Sequence, residues 1–157
     1  MPGQRMRLHE VDQRAYEAMR TLERYVHRGN LSEALIELVK IRASQLNRCA
    51  YCMDMHSHNA RRAGIPQRKL DVLVAWREAA SIFDEQERAA LALTEEMTLI
   101  ARGGVSEAVW HDASNAFSDQ DLATLMMAIC AINSWNRIAV ATRQPLPLGG
   151  EAVRSER

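Results

Sequence analysis

From Asp12 to Thr142 apolar residues return every three or four positions, and no segment alternates apolar with polar over the length of a strand. Breakers at Arg28-Gly29, Asn47, Gly64, residues 81–84 and Gly103-Gly104 divide this pattern into separate helices. The fold class is therefore all-α, a helical bundle. Helices are predicted over residues 12–27, from Asn30 to about Leu46, onward to Ala63, over 67–76 with Pro66 at its start, and over 85–101. Two more follow, one capped by Ser106 and running through Phe117, one capped by Ser118 with Asp121 and reaching about Thr142. Asn30 with Glu33 three positions on reads as a capping box. The closing RQPLPLGGEAVRSER, residues 143–157, cannot continue the last helix and is expected to be extended or loose.

At 157 residues the chain suits one domain, residues 1–157, with its core in about 15–142. Lys plus Arg and Asp plus Glu number 20 each, so there is no basic excess to neutralise the phosphates of nucleic acid or an anionic membrane. Arg61, Arg62, Arg68 and Lys69 read as a solvated helix edge. No apolar run approaches the ~20 residues that span a bilayer, and MPGQRMRLHEVDQR lacks the apolar centre of a secretory signal. A cytoplasmic location is the expectation. Three cysteines make no disulfide framework, and in a reducing compartment a C-x-x-C points to catalysis or metal binding.

The chemistry concentrates in ELVKIRASQLNRCAYCMDMHSHNARRAG, residues 37–64. Cys49 and Cys52 form the C-x-x-C, His56 follows four positions later, and Glu37 stands twelve positions before the first thiol on the preceding helix. At ~100° per residue, Cys52 lies about 60° and His56 about 20° from Cys49, so two thiols and one imidazole share a face. His58 falls about 180° away, on the opposite face. One helix cannot aim both faces at one metal, so Cys49, Cys52, His56 and His58 do not read as a zinc set, and no metal or cofactor is expected.

A thiol reacts as its thiolate. Cys49, near the start of its helix, is favoured by unpaired backbone N–H groups. Cys52 is favoured by His56 at the (i, i+4) position. Local physics leaves open which sulfur is the nucleophile. Glu37 lies on the margin of its helix's apolar stripe, where it can approach the cysteine face across a helix hairpin or pair with Lys40 or Arg42 at the surface.

Glu37, Cys49, Cys52 and His56 at these spacings, with RASQLNRCAYCMDMH, ERAALALTE and INSWNRIAV around them, resemble the alkylhydroperoxidase D-type proteins. These belong to the carboxymuconolactone decarboxylase-like superfamily, and the flanking words resemble its peroxidase-related branch. The resemblance spans roughly residues 15–142. It implies a helical bundle of the alkylhydroperoxidase D-like type whose helix hairpin carries the C-x-x-C, assembled into homo-oligomers, trimers or hexamers. It also implies a thiol-dependent peroxidase that reduces organic hydroperoxides, with Cys52 peroxidatic, Cys49 resolving, and His56 and Glu37 relaying protons. Electrons would come from a dithiol reductant such as a dihydrolipoyl carrier protein. Better-studied members carry a histidine between the cysteines where this chain has Tyr51, so that histidine's role in proton transfer is missing here. Decarboxylase members lack the thiol pair, which sets lactone decarboxylation aside. A general thiol–disulfide oxidoreductase or redox sensor uses the same residues and is the competing reading.

Cys130 sits in the apolar run LMMAICAINSW and reads as a buried, inert thiol. Met126 and Met127 read as filler, and Trp76, Trp110 and Trp135 as packing residues. Tyr51 should point away from the thiol face. Asn133, Asn136 and Arg137 form a polar stripe, read as a solvated or interfacial face, with contact to the thiol site as the alternative.

Overall fold

The computed structural model describes residues 3–146. It is all-helical: α1 Leu8–Val11, α2 Gln13–His27, α3 Glu33–Leu46, α4 Ala50–Arg62, α5 Gln67–Val72, α6 Glu85–Thr98, α7 Glu107–Ala116 and α8 Asp119–Thr142. No helix among the described residues is long and apolar enough to cross a membrane.

α3 is the central element. Nine of its fourteen residues, from Leu35 to Ser44, are buried, and it packs on α4, α6 and α8 at once. A helix wrapped on every side has no solvated stripe, and so its polar residues must find partners inside. α8, at 24 residues, is about 36 Å long and packs against α2 as well as α3. Leu35, Val39, Leu93, Phe117, Leu125 and Ile129 form one core, and Leu38, Ile41, Leu73, Trp76, Phe83 and Leu91 form a second on the other side of α3.

Local chemistry sets most boundaries. Ser106 and Ser118 accept the N–H groups of Val109 and Asp121 and cap α7 and α8 as expected. Gly64, at φ 87°, ends α4, and Gly103 and Gly104, at φ 125° and 77°, end the segment after α6. Elsewhere the structure corrects the expected boundaries. The N-cap of α3 is Ser32, which accepts from Leu35 N–H, and Glu33 is already helical, so Asn30 makes no capping box there. The capping box lies instead at Asp84 and Glu87, opening α6. The predicted 67–76 helix stops at Val72 and tightens into a 3₁₀ turn, Leu73–Ala75. That tightening aligns positions three apart and turns both Leu73 and Trp76 into the core. Residues 81–84 overlap a 3₁₀ turn, Ala80–Ile82; α6 ends at Thr98, with Ile100–Arg102 in 3₁₀ form.

Of the segment expected to be loose, residues 147–157 lie outside the described residues. Its beginning is ordered. Arg143 takes a left-handed conformation that closes α8, and Arg5 N–H donates to Thr142 O at 2.8 Å.

Candidate active site

The corner between α3 and α4 positions the thiols. Arg48, at φ 55°, follows the last turn of α3 in the left-handed region; its N–H bonds Gln45 O, and Cys49 N–H bonds Ser44 O. This pair of bonds is the Schellman closure of a helix end, built on arginine where glycine is usual. The chain is thereby turned so that Cys49 ends one helix and caps the next. Cys49 Sγ accepts the backbone N–H of Cys52 at 3.4 Å. Both cysteines are free and buried, at 2% exposure each.

Cys49 was expected inside the first turn of its helix and stands one position earlier, at the cap itself, where a sulfur meets the free N–H groups directly. Hydrogen bonding from the Cys52 thiol pulls the Cys49 thiol down to about 7; burial opposes this, while the Cys52 N–H and the Asn136 side chain reinforce it. The same sulfur–sulfur bond, then burial and the neighbouring charge, pushes the Cys52 thiol far up. Cys49 is thus favoured over Cys52 as the resting thiolate, chiefly by the thiol–thiol bond and secondly by the helix end.

Glu37 does reach this corner. Its Oε2 lies 2.8 Å from His56 Nδ1, and both side chains are buried, at 3% and 5% exposure. The surface alternatives are excluded because both cations are committed elsewhere: Lys40 Nζ lies 2.5 Å from Glu23 Oε2, and Arg42 bonds Glu95 and Gln45. With Nδ1–H given to the carboxylate, neutral His56 keeps its lone pair on Nε2. That nitrogen has no protein partner and is not sealed from solvent, since no buried side-chain nitrogen or oxygen among the described residues lacks a partner. No hydrogen bond joins His56 to either sulfur among the described residues; His56 shares their helix face one turn beyond Cys52.

A charged cluster behind α3 was not foreseen. Lys40, only 2% exposed, holds Glu23 of α2, with His27 Nε2 at 3.3 Å from Nζ and His27 Nδ1 at 3.1 Å from Glu33. Burial would raise the Glu23 carboxyl, but the His27 hydrogen bond and the charge of Lys40 prevail and hold it near about 2. His56 contributes to the same lowering, which places the cluster within electrostatic reach of the His–Glu pair.

Other expectations divide. Tyr51 packs as foreseen, but beside the thiols rather than away from them, in a cluster of Ala43, Cys49, Cys52 and Ile132 that Trp135 also joins. Trp76 is buried and Trp110 is exposed. Cys130 is exposed, not buried, on the outer face of α8 with Met127. Asn136 is buried at 1% exposure, on the face of α8 that packs on the thiols, and lowers the Cys49 thiol, which corrects the reading of its stripe as solvated; Arg137 does remain exposed. Among the described residues no cluster of three or more His, Cys, Asp or Glu is disposed to hold a metal ion.

Residues 13–96, more than half of the chain, match the carboxymuconolactone decarboxylase family. The chain belongs to that family. Among its relatives is the uncharacterized protein YdfG of Bacillus subtilis (strain 168), 35% identical over 139 residues that cover 88% of this chain and 94% of YdfG. A crystal structure of a protein of unknown function from Agrobacterium tumefaciens, proposed to be the antioxidant defence protein AhpD, is 35% identical. It has a TM-score of 0.89 and covers 94% of this chain and 100% of that one. An uncharacterized peroxidase-related protein from Silicibacter sp. TM1040 shares the fold at a TM-score of 0.77 and 22% identity, over 87% of this chain and 72% of that one. The bundle is thus the AhpD-like fold of the decarboxylase family, with a dithiol at its central hairpin.

Proposed function

We propose that this family member is an antioxidant enzyme, a thiol peroxidase that reduces organic hydroperoxides with Cys49 and Cys52. One observation carries the reading: two free, buried cysteines, with Cys49 capping the helix of Cys52, share a helix face with His56, which is joined at 2.8 Å to the buried Glu37. The likeness to the Agrobacterium protein supports it.

The Cys49 thiolate takes the Cys52 proton, and the Cys52 thiolate attacks the distal peroxide oxygen. The O–O bond breaks, an S–O bond forms, and the alkoxide leaves with the Cys49 proton, relayed through His56 Nε2, giving an alcohol and a Cys52 sulfenic acid. Cys49, a thiolate again, attacks that sulfur and expels hydroxide, which takes a proton from solvent to become water. The disulfide is then reset by an external dithiol, whose two thiols are oxidised in exchange. A dihydrolipoyl group on a carrier protein fits this role, in the reducing setting of the cytoplasm. Glu37 keeps the His56 tautomer fixed and stabilises the imidazolium. Exposed apolar side chains on α8, Met127 and Val140, support assembly into a homo-oligomer, a trimer or hexamer.

Consumption of cumene hydroperoxide with dihydrolipoamide, compared between wild type and Cys52→Ser, tests the proposal. Loss of turnover in the variant, and a sulfenic acid at Cys52 in Cys49→Ser, are expected. Equal turnover in wild type and variant overturns it.

The thiol near 7 at a helix cap favours a second reading, a general thiol–disulfide oxidoreductase or redox sensor in which Cys49 attacks a disulfide. Faster reaction with a small disulfide than with hydroperoxide, through Cys49, would select it.

A further inference from the structure

Three amide side chains meet above the thiols, and their hydrogen bonds have a direction. Asn47 Nδ2 donates to Asn133 Oδ1 and to Asn136 Oδ1, at 2.9 Å each. Amide oxygen and nitrogen exchange places easily in a structure, so the direction must be argued from partners that have no choice. Arg137, which only donates, bonds Asn133 Oδ1 at 3.0 Å, and Asn133 Nδ2 bonds the Ile129 carbonyl, which only accepts, at 2.9 Å. Asn133 is thereby fixed, and Asn47 must present its nitrogen to it. The second N–H of Asn47 then fixes Asn136 Oδ1 as an acceptor. At the far end, Ser44 Oγ–H donates to Lys40 O at 2.7 Å, so Ser44 accepts from Asn136 Nδ2, at 3.0 Å. Both ends of the ladder require the same orientation of Asn136. One N–H goes to Ser44, and the other is left for the sulfurs: Ile132, Trp135 and Ala139, which flank Asn136 on the same face of α8, pack with Cys49 and Cys52, and the Asn136 amide lowers both thiols.

We propose that Asn136 is a positioning residue of the thiol pair, a locked N–H donor that stabilises thiolate on either sulfur and lets the charge pass from Cys49 to Cys52. The passage of charge rests on the peroxidase reading; the hold on Cys49 does not. A donor serving both sulfurs favours the charge in either place, and an amide does so without titrating. The titratable and charged side chains around the pair are Tyr51 and His56 on α4, Glu37 on α3, Tyr16 on α2 behind Trp135, and Arg137 on α8 behind Asn133. None of them hydrogen-bonds a sulfur, so the variants below change the donor and leave the surrounding charges in place.

The test is the pH dependence of iodoacetamide alkylation, with the modified cysteine assigned by peptide mass spectrometry, in wild type, Asn136→Ala and the near-isosteric Asn136→Leu. Loss of the donor is expected to raise the Cys49 midpoint and slow its alkylation at neutral pH about tenfold in the alanine variant. The leucine, which keeps the shape of the asparagine and has no N–H, is expected to slow it as much, and it supplies the readout if the alanine variant does not fold. Above the Cys49 midpoint of each protein, formation of the Cys52 sulfenic acid is also expected to slow at least tenfold. Midpoints equal to wild type overturn the hold on Cys49, and equal sulfenylation rates overturn the passage of charge. A wild type that consumes no hydroperoxide overturns the peroxidase reading instead, and the Cys49 midpoints still decide the first half.

Discussion

Cys49 Sγ caps the helix that carries Cys52, accepting its N–H at 3.4 Å, and the Cys52 thiol donates to the same sulfur. Two donors on one side chain therefore act on the acidity of another. Replacing Cys52 by Ser keeps a hydroxyl donor and the backbone N–H, whereas Ala keeps only the backbone. Cys49 is expected to be alkylated in wild type with a midpoint near about 7. The midpoint should rise more in Cys52→Ala than in Cys52→Ser, with alkylation at neutral pH about tenfold slower in the alanine variant. Identical midpoints in the two variants would show that the thiol donor does not matter.

Glu37 and His56 are a buried unit, joined at 2.8 Å. Glu37→Gln can still accept Nδ1–H but supplies no charge to hold an imidazolium. Peroxide turnover is expected to fall about 10²-fold, and Glu37→Gln combined with His56→Gln to lose little more than His56→Gln alone, because both act through one proton. Additive losses in that double-mutant cycle would separate the two roles.

Lys40 is buried and its partner carboxylate is not removed with it. Lys40→Met should therefore cost about 3 kcal/mol of unfolding free energy, much of it from leaving Glu23 without its cation. Adding Glu23→Leu should recover part of that loss. Urea unfolding of the three variants checks this, and a double variant weaker than Lys40→Met would refute it.

Acid should expose the same pair. Glu23 is held at about 2 against an ordinary 4.5, a carboxylate depressed in the folded state. Its contribution, about 2–3 kcal/mol, is present above the unfolded value and is lost as pH falls from about 4.5 toward 2. Glu95 is also lowered; burial opposes the shift, and hydrogen bonds from Trp76, Arg77 and Arg42 overcome it, so it adds to the loss in the same direction. His27 is raised, chiefly by Glu23, and its contribution is present below 6.5 and disappears as pH rises through its folded value. Stability should thus fall steeply below about pH 4.5, and less steeply in Glu23→Gln.

What was legible in the sequence was local. Ser106, Ser118, Gly64 and the Gly103-Gly104 pair set helix ends through contacts within a few positions, and Glu37, Cys49, Cys52 and His56 share one hairpin whose geometry follows from helix periodicity. Distant partners decided the rest. Asn30 and Ser32 are both fit to cap α3, but Asn30 Nδ2 reaches to Asp121 Oδ1 of α8, at 3.5 Å, and Ser32 is left to cap. Lys40 is buried only because α2 brings Glu23. The apolar run around Cys130 is real, yet α8 turns Ile129 and Ile132 inward and leaves Met127 and Cys130 outside. Asn136 is oriented by Asn47 and Ser44, which its own helix does not contain.

The junction after α2 shows the same dependence on distance. A Cβ on Gly29 would stand 2.7 Å from Thr124 Cγ2 and 3.3 Å from Val26 O, so α8 passes too close for a side chain there. Thr124 is buried, and its hydroxyl is committed to Gln120 O at 3.0 Å, which restricts its freedom to swing aside. Gly29→Ala is expected to cost about 1–3 kcal/mol. Thr124→Ser removes the offending methyl and keeps the hydroxyl bond, and so the double variant should be more stable than the two single losses predict, by about 1 kcal/mol. Additive losses on thermal and urea unfolding would place the cost of Gly29→Ala in the backbone contact with Val26 instead.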